Sequence, residues 1–169
     1  MNSVPGPSTC NQTFNNLNVK QKGIPNHVLE KLAEDFKKEQ KFSDSSLLSL
    51  YSAFGDVFDR ALNLYESSKI SKIVAVDSNA HGVWKEIDAG RWLIEVQGFS
   101  GEAYILFPNI NYCQCPAFKY QVLRDQSDRT CKHVLAAWLA SLESDKIIEK
   151  QITREQFKSL LLYQVLERQ

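Results

Sequence analysis

The string Tyr112-Cys-Gln-Cys-Pro-Ala-Phe-Lys-Tyr120 is followed, after a polar stretch, by Thr130-Cys-Lys-His-Val134. Reduced to side chains that bind soft metals, it reads C-x-C, fifteen residues, C-x-H. No other feature constrains the chain so tightly, because two rigid ligand pairs must be brought by separate elements to one point. Cys113 and Cys115 are two apart, so an extended segment puts both sulfurs on the same side. Pro116 keeps Cys115 out of helical conformation and can open a short helix itself. Cys131 and His133 are expected on the first turn of a helix whose apolar set is Val134, Leu135, Trp138, Leu139 and Leu142. Thr130 is the expected N-cap, and the partial positive charge of the helix start favours a thiolate at Cys131.

Cys113, Cys115, Cys131 and His133 are therefore the candidate ligands of one Zn2+. Four protein ligands close the shell, which makes the zinc structural; a catalytic site keeps a position open for water. No H-E-x-x-H supplies a base. The competing reading is three buried thiols beside a core histidine, since Cys is often buried. Two i, i+2 pairs flanking a helix-breaking loop argue for zinc instead. Lys119, Arg124, Arg129 and Lys132 lie in or beside that loop. Two readings of them stand: they offset the negative charge of a three-thiolate centre, or they contact phosphate. Asp125 and Asp128 interrupt the basic stripe that phosphate binding needs. His27, in a helix start, and His81, in a turn beside Gly82, read as surface or structural groups, and Cys10 as an inert thiol.

Composition narrows the class. The chain has 169 residues, with 20 Lys+Arg against 20 Asp+Glu, enough for one core. Zero net charge argues against a strongly cationic DNA-coating protein, so nucleic acid would be met only by a local patch. No apolar run approaches the roughly 18 residues that span a bilayer, so a soluble chain without membrane contact is expected. Residues 1–25 hold Pro5, Pro7 and Pro25 among polar residues and read as a flexible leader. They lack the basic start and the apolar run of about 7–15 residues of a secretory signal. Cysteines in such a chain are expected as thiols or ligands rather than disulfides.

Residues 26–169 read as a single α+β domain. Asn26 is an expected N-cap ahead of Leu29, Leu32, Ala33 and Phe36 at helical spacing. A second helix carries Leu47, Leu48, Leu50, Tyr51 and Phe54 and ends at Gly55. Asp56 is expected to cap a third, with Val57, Phe58, Ala61, Leu62 and Tyr65. Four strands, Ile70–Val76, Gly82–Ile87, Arg91–Phe99 and Ala103–Phe107, are separated by turn residues and predict a small antiparallel meander. Trp92, Ile94 and Val96 alternate with Glu95 and Gln97, as in a half-buried strand. After the ligand-bearing helix, Thr153 and Gln156 fit a capping box that opens a C-terminal helix. Its apolar residues Phe157, Leu160, Leu161, Leu162, Tyr163, Val165 and Leu166 spread over more than one side. Either the helix packs into the core on one side only, or its other side meets a partner.

The C-x-C…C-x-H pattern, spanning 112–142 with its helix, resembles the SWIM zinc-binding domain of chromatin remodellers, transposases, ubiquitin ligases and recombination factors. The flanks narrow the likeness. Tyr112–Phe118, Val122-Leu123-Arg124, Cys131–Leu135, Leu47–Leu50, Phe54-Gly55 and Ala61-Leu62 resemble the zinc finger SWIM domain-containing protein 7 family, the small SWIM subunit of the Shu complex. The likeness runs from about Leu47 to Leu142. It implies the same four ligands, Cys113, Cys115, Cys131 and His133. It also implies a nuclear, non-enzymatic subunit that pairs with a RecA-like recombinase paralogue and promotes recombinase filament assembly on single-stranded DNA, in homologous recombination and meiosis.

Independently of the likeness, the chain has no G-x-x-x-x-G-K-[ST] loop for nucleotide phosphates. No Ser-His-Asp set is apparent. ATP chemistry would come from the partner, and no small-molecule substrate is expected. The main rival is a direct DNA-binding SWIM module of a transposase- or chromatin-associated protein. A thiol redox protein using Cys113 and Cys115 is a third reading, disfavoured because C-x-x-C near a βαβ pattern is the commoner redox signal.

Overall fold

The computed structural model describes residues 26–67, 69–78, 84–86 and 92–166. The expected leader, Cys10 and His81 lie outside these residues, as do the side chains of Asn26 and His27. Three helices come first: α1 (Asn26–Glu39), α2 (Asp44–Phe54) and α3 (Asp56–Glu66). Leu29, Leu32, Ala33 and Phe36 form the buried row of α1, at the spacing that puts them on one face. Ser43 caps α2, its hydroxyl accepting the Ser46 N–H at 3.2 Å. Gly55 ends α2 as expected: its φ of +53° suits glycine, and its N–H donates to the Tyr51 carbonyl at 2.7 Å. Asp56 does not cap α3. Gly55 holds that position too, and Asp56 is the first helical residue, where its charge still complements the helix dipole.

The strands are β1 (Ile70–Ser78), β2 (Trp84–Glu86), β3 (Trp92–Gln97), β4 (Ala103–Leu106) and β5 (Ile148–Thr153). The antiparallel path is present, with β1 paired to β2 and β3, and β3 to β4. Val76 faces both Glu86 and Thr153, and Val74 faces both Trp92 and Gln151. A strand has two edges, so β2 and β3 share one edge of β1 in succession and β5 takes the other, running parallel. The stretch 148–153 carries no assignment in the sequence reading, and the sheet gains a strand there.

The sheet is covered on both faces. Ile70, Ile94, Val96 and Leu106 join residues of α1, α2, α3 and the ligand-bearing helix α4 (Lys132–Leu142) in the main core. Ile73, Ala75, Leu93 and Ile105 form a second cluster with Phe157 of α5 (Arg154–Leu166), packed by Leu160 and Leu161. Side chains alternate across a strand, which is why Ile94 and Leu93 go opposite ways. It also explains the near-continuous apolar run of β1, a strand buried on both sides. The half-buried reading of β3 is corrected accordingly: Leu93 is as buried as Ile94. The Thr153 capping box forms, with the Thr153 N–H donating to Gln156 Oε1 at 2.9 Å and the Gln156 N–H to Thr153 Oγ1 at 3.2 Å. Among the described residues no helix is long and apolar enough to cross a membrane.

Candidate metal centre

The chain leaves β4 at Leu106 and crosses an irregular segment before Pro116 opens a short helical stretch, which continues as a π-helix over Phe118–Arg124. Cys113 and Cys115 lie in that irregular segment, just ahead of Pro116, and both are buried. Cys131 and His133 lie at the start of α4. Cys131 itself occupies the N-cap position, with extended backbone, in place of the expected Thr130. The Thr130 hydroxyl is engaged elsewhere, donating to Asn111 Oδ1 at 2.7 Å. Asn111 also donates from Nδ2 to the Arg129 carbonyl at 3.0 Å. It thus clips the segment before the first ligand pair to the segment before the second. Nothing local in the sequence marks Asn111 for this, because its partners lie 18 and 19 residues away.

The four predicted ligands meet. Their donor atoms all lie within 4.8 Å of one another, and every one of the residues is buried. His133 Nδ1 is 3.7 Å from Cys113 Sγ and 3.9 Å from Cys131 Sγ. A tetrahedral metal with sulfur bonds of about 2.3 Å has edges of about 3.8 Å, so these spacings fit such an ion at the centre. His133 Nε2 is buried with no hydrogen-bond partner among the described residues. Its ring is oriented by packing instead, stacked on Tyr104 with centroids 4.1 Å apart and planes at 27°. Tyr104 was not among the sequence candidates, though its place on β4 is what brings it against α4.

Backbone amides face the sulfurs. The Cys115 N–H donates to Cys113 Sγ at 3.5 Å and the Phe118 N–H to Cys115 Sγ at 3.3 Å, contacts that favour thiolates. Hydrogen bonds from Cys113 and Cys131 hold the Cys115 thiol well below its ordinary range. The Cys113 thiol is held far up, first by its bond to Cys115 and then by its bond to Cys131 and by burial. Burial pushes the Cys131 thiol up to about 12, against the lowering effect of its bonds with Cys113 and the Val134 backbone. One negative charge is easy to place here and further ones are not, which is the condition a bound divalent cation reverses. All four residues would hold such an ion, with no fifth position offered by the donor set.

The flanking cations are partly engaged. Arg124 pairs with Asp125, Nε to Oδ1 at 2.6 Å, and also lies over the exposed Tyr120 ring. Comparison with known proteins gives the family. The chain is 31% identical over 120 residues to the zinc finger SWIM domain-containing protein 7 homolog of Dictyostelium discoideum, covering 70% of each chain. The chain belongs to the zinc finger SWIM domain-containing protein 7 family. Family members from Mus musculus and Homo sapiens are 29% and 28% identical over 134 residues, covering 77% of this chain and 80% and 87% of theirs. No family model matches, and no solved structure matches. In this SWIM-family chain the C-x-C and C-x-H pairs are thus the buried meeting point of the β4–α4 segment and α4.

Proposed function

We propose that this chain is a non-enzymatic adaptor subunit of a Shu-type complex. It holds one structural Zn2+ and pairs in the nucleus with a RecA-like recombinase paralogue. The pair promotes recombinase filament assembly on single-stranded DNA in homologous recombination and meiosis. The observation that carries the reading is the closed, buried set of three sulfurs and one imidazole nitrogen, which suits a structural ion and leaves no position for substrate. Family membership and the lack of a phosphate-binding loop support it. So does the apolar outer side of α5, where Leu162 and Leu166 are exposed. Thiol exchange is disfavoured by the burial of Cys113 and Cys115. The test is co-purification of tagged chain from nuclei, with identification of the protein recovered in equal amount. A RecA-like ATPase is expected, and ATP turnover should belong to it alone. Recovery without any such protein, or turnover by the lone chain, contradicts the proposal.

A second reading, direct contact with nucleic acid, is favoured by Tyr120. This side chain is 44% exposed, with Arg124 Cζ at 4.8 Å and Lys119 Nζ at 5.8 Å from its ring centroid. Exposed aromatics beside cations can stack bases. Under this reading the lone chain binds single-stranded oligonucleotide with affinity that falls steeply with salt, and Tyr120→Ala weakens it. Absence of binding at low salt excludes it.

A further inference from the structure

The middle residue of the C-x-C pair reaches out of the metal centre. Gln114 Nε2 donates to the backbone carbonyl of Gln164, in the last turn of α5, at 3.1 Å. Gln114 thus fastens a backbone carbonyl of α5 from another part of the chain. Gln164 also ends the inner row of α5. Phe157, Leu160 and Leu161 pack on the sheet, and Gln164, one turn further on, is only 5% exposed. At this end the apolar contacts with the sheet have given way to a polar residue beside the ligand segment. The opposite side of the same turns carries Leu162 and Leu166, 59% and 68% exposed.

We infer that Gln114 is a positioning residue that couples metal occupancy to the docking of the α5 C-terminal half, making the outer face of that helix metal-dependent. With the four donors tied to one ion, the segment holding Gln114 has a fixed position, and its amide meets the Gln164 carbonyl. Without the ion, Cys113 and Cys115 are no longer tied to Cys131 and His133, and Gln114 has no fixed place from which to donate. The coupling is reciprocal: whatever the metal adds to α5 docking, α5 docking adds to metal affinity. A single hydrogen bond corresponds to about a 2- to 10-fold change in that affinity.

This inference rests on the metal reading above, and its test separates the two. Full-length chain is loaded with Zn2+, and hydrogen exchange is followed by mass spectrometry in α4 and α5 peptides, with a competitive Zn2+ titration alongside. Gln114→Met keeps the side-chain length and removes the donor. It should retain one Zn2+ per chain and full α4 protection, speed exchange over residues 160–166 and weaken Zn2+ binding about 2- to 10-fold. A merely structural role would speed exchange equally with and without metal; coupling requires the effect in the loaded chain and its loss in the metal-free one. If removing Zn2+ unfolds the whole chain, the loaded comparison and the affinity decide. Loaded Gln114→Met with unchanged α5 exchange and unchanged affinity overturns the inference alone, whereas wild-type chain that binds no Zn2+ overturns both.

Discussion

At the scale of single residues, the site is a problem of charge burial. Cys113, Cys115 and Cys131 are each no more than 2% exposed, and His133 is 3% exposed. A buried thiolate is costly without a compensating cation, so removing one ligand removes more than one bond. Structural zinc in small sites is worth about 10–16 kcal/mol of apparent binding energy, against a net stability of about 5–15 kcal/mol for a whole domain. Cys131→Ser or His133→Ala should therefore lose the metal and unfold at least residues 112–142, which circular dichroism and metal analysis would read. A metal-free variant with the wild-type melting temperature would refute this. A second prediction concerns Tyr65, whose hydroxyl donates to Glu143 across the α3–α4 contact. Burial first, then the Glu143 bond, raises its pKa above the ordinary 10.0. A raised folded-state value means the contribution is fully present below pH 10 and is lost as pH rises beyond it. Chemical denaturation between pH 9 and pH 12 should show stability falling. Tyr65→Phe should lower stability at neutral pH and flatten part of that fall; an unchanged slope would count against it. Part of the slope should remain, because Tyr104 is also raised, chiefly by its bond to Glu102.

At the scale of elements, what could be read from sequence was what depends on near neighbours. The two ligand pairs, the stop at Gly55 and the Thr153–Gln156 box each involve residues within a few positions of one another, and the structure forms each of these local arrangements. Strand β5 could not be read that way. Ile148-Glu-Lys-Gln-Ile-Thr153 is exposed or half-exposed throughout, so no buried face marks it, although Ile152 packs against the second cluster. It is set instead by long-range pairing with β1, reinforced by Lys72–Glu149 at 3.5 Å and by Lys150 with Glu95. Thr130 was misread for a similar reason, since its hydroxyl goes to Asn111 far back in the chain. One side of α5 is core, through Phe157, as both readings of the helix require, and the other side leaves Leu162 exposed. Leu162→Glu should therefore leave melting temperature and metal content unchanged. Under the adaptor reading it should abolish recovery of the RecA-like partner in a pull-down. Unfolding of the free chain would show that Leu162 is core, and undiminished recovery would move the interface elsewhere.

At the scale of the whole molecule, the described sheet lies between α1–α4, joined by the π-helix, on one face and α5 on the other. The candidate metal centre sits at the four-helix side, inside the main core: Cys113, Cys115 and Cys131 belong to the same buried cluster as Leu50, Leu64, Val96 and Leu139. The metal reading thus makes the ion part of the core, and its removal should be felt across α3, α4 and the sheet together. Elemental analysis of native chain purified without added metal, paired with thiol titration, tests this most directly. The account predicts about one zinc per chain, with Cys113, Cys115 and Cys131 reacting only after a chelator is added. A fully folded chain that contains no transition metal and whose thiols resist reagent with or without chelator would contradict it.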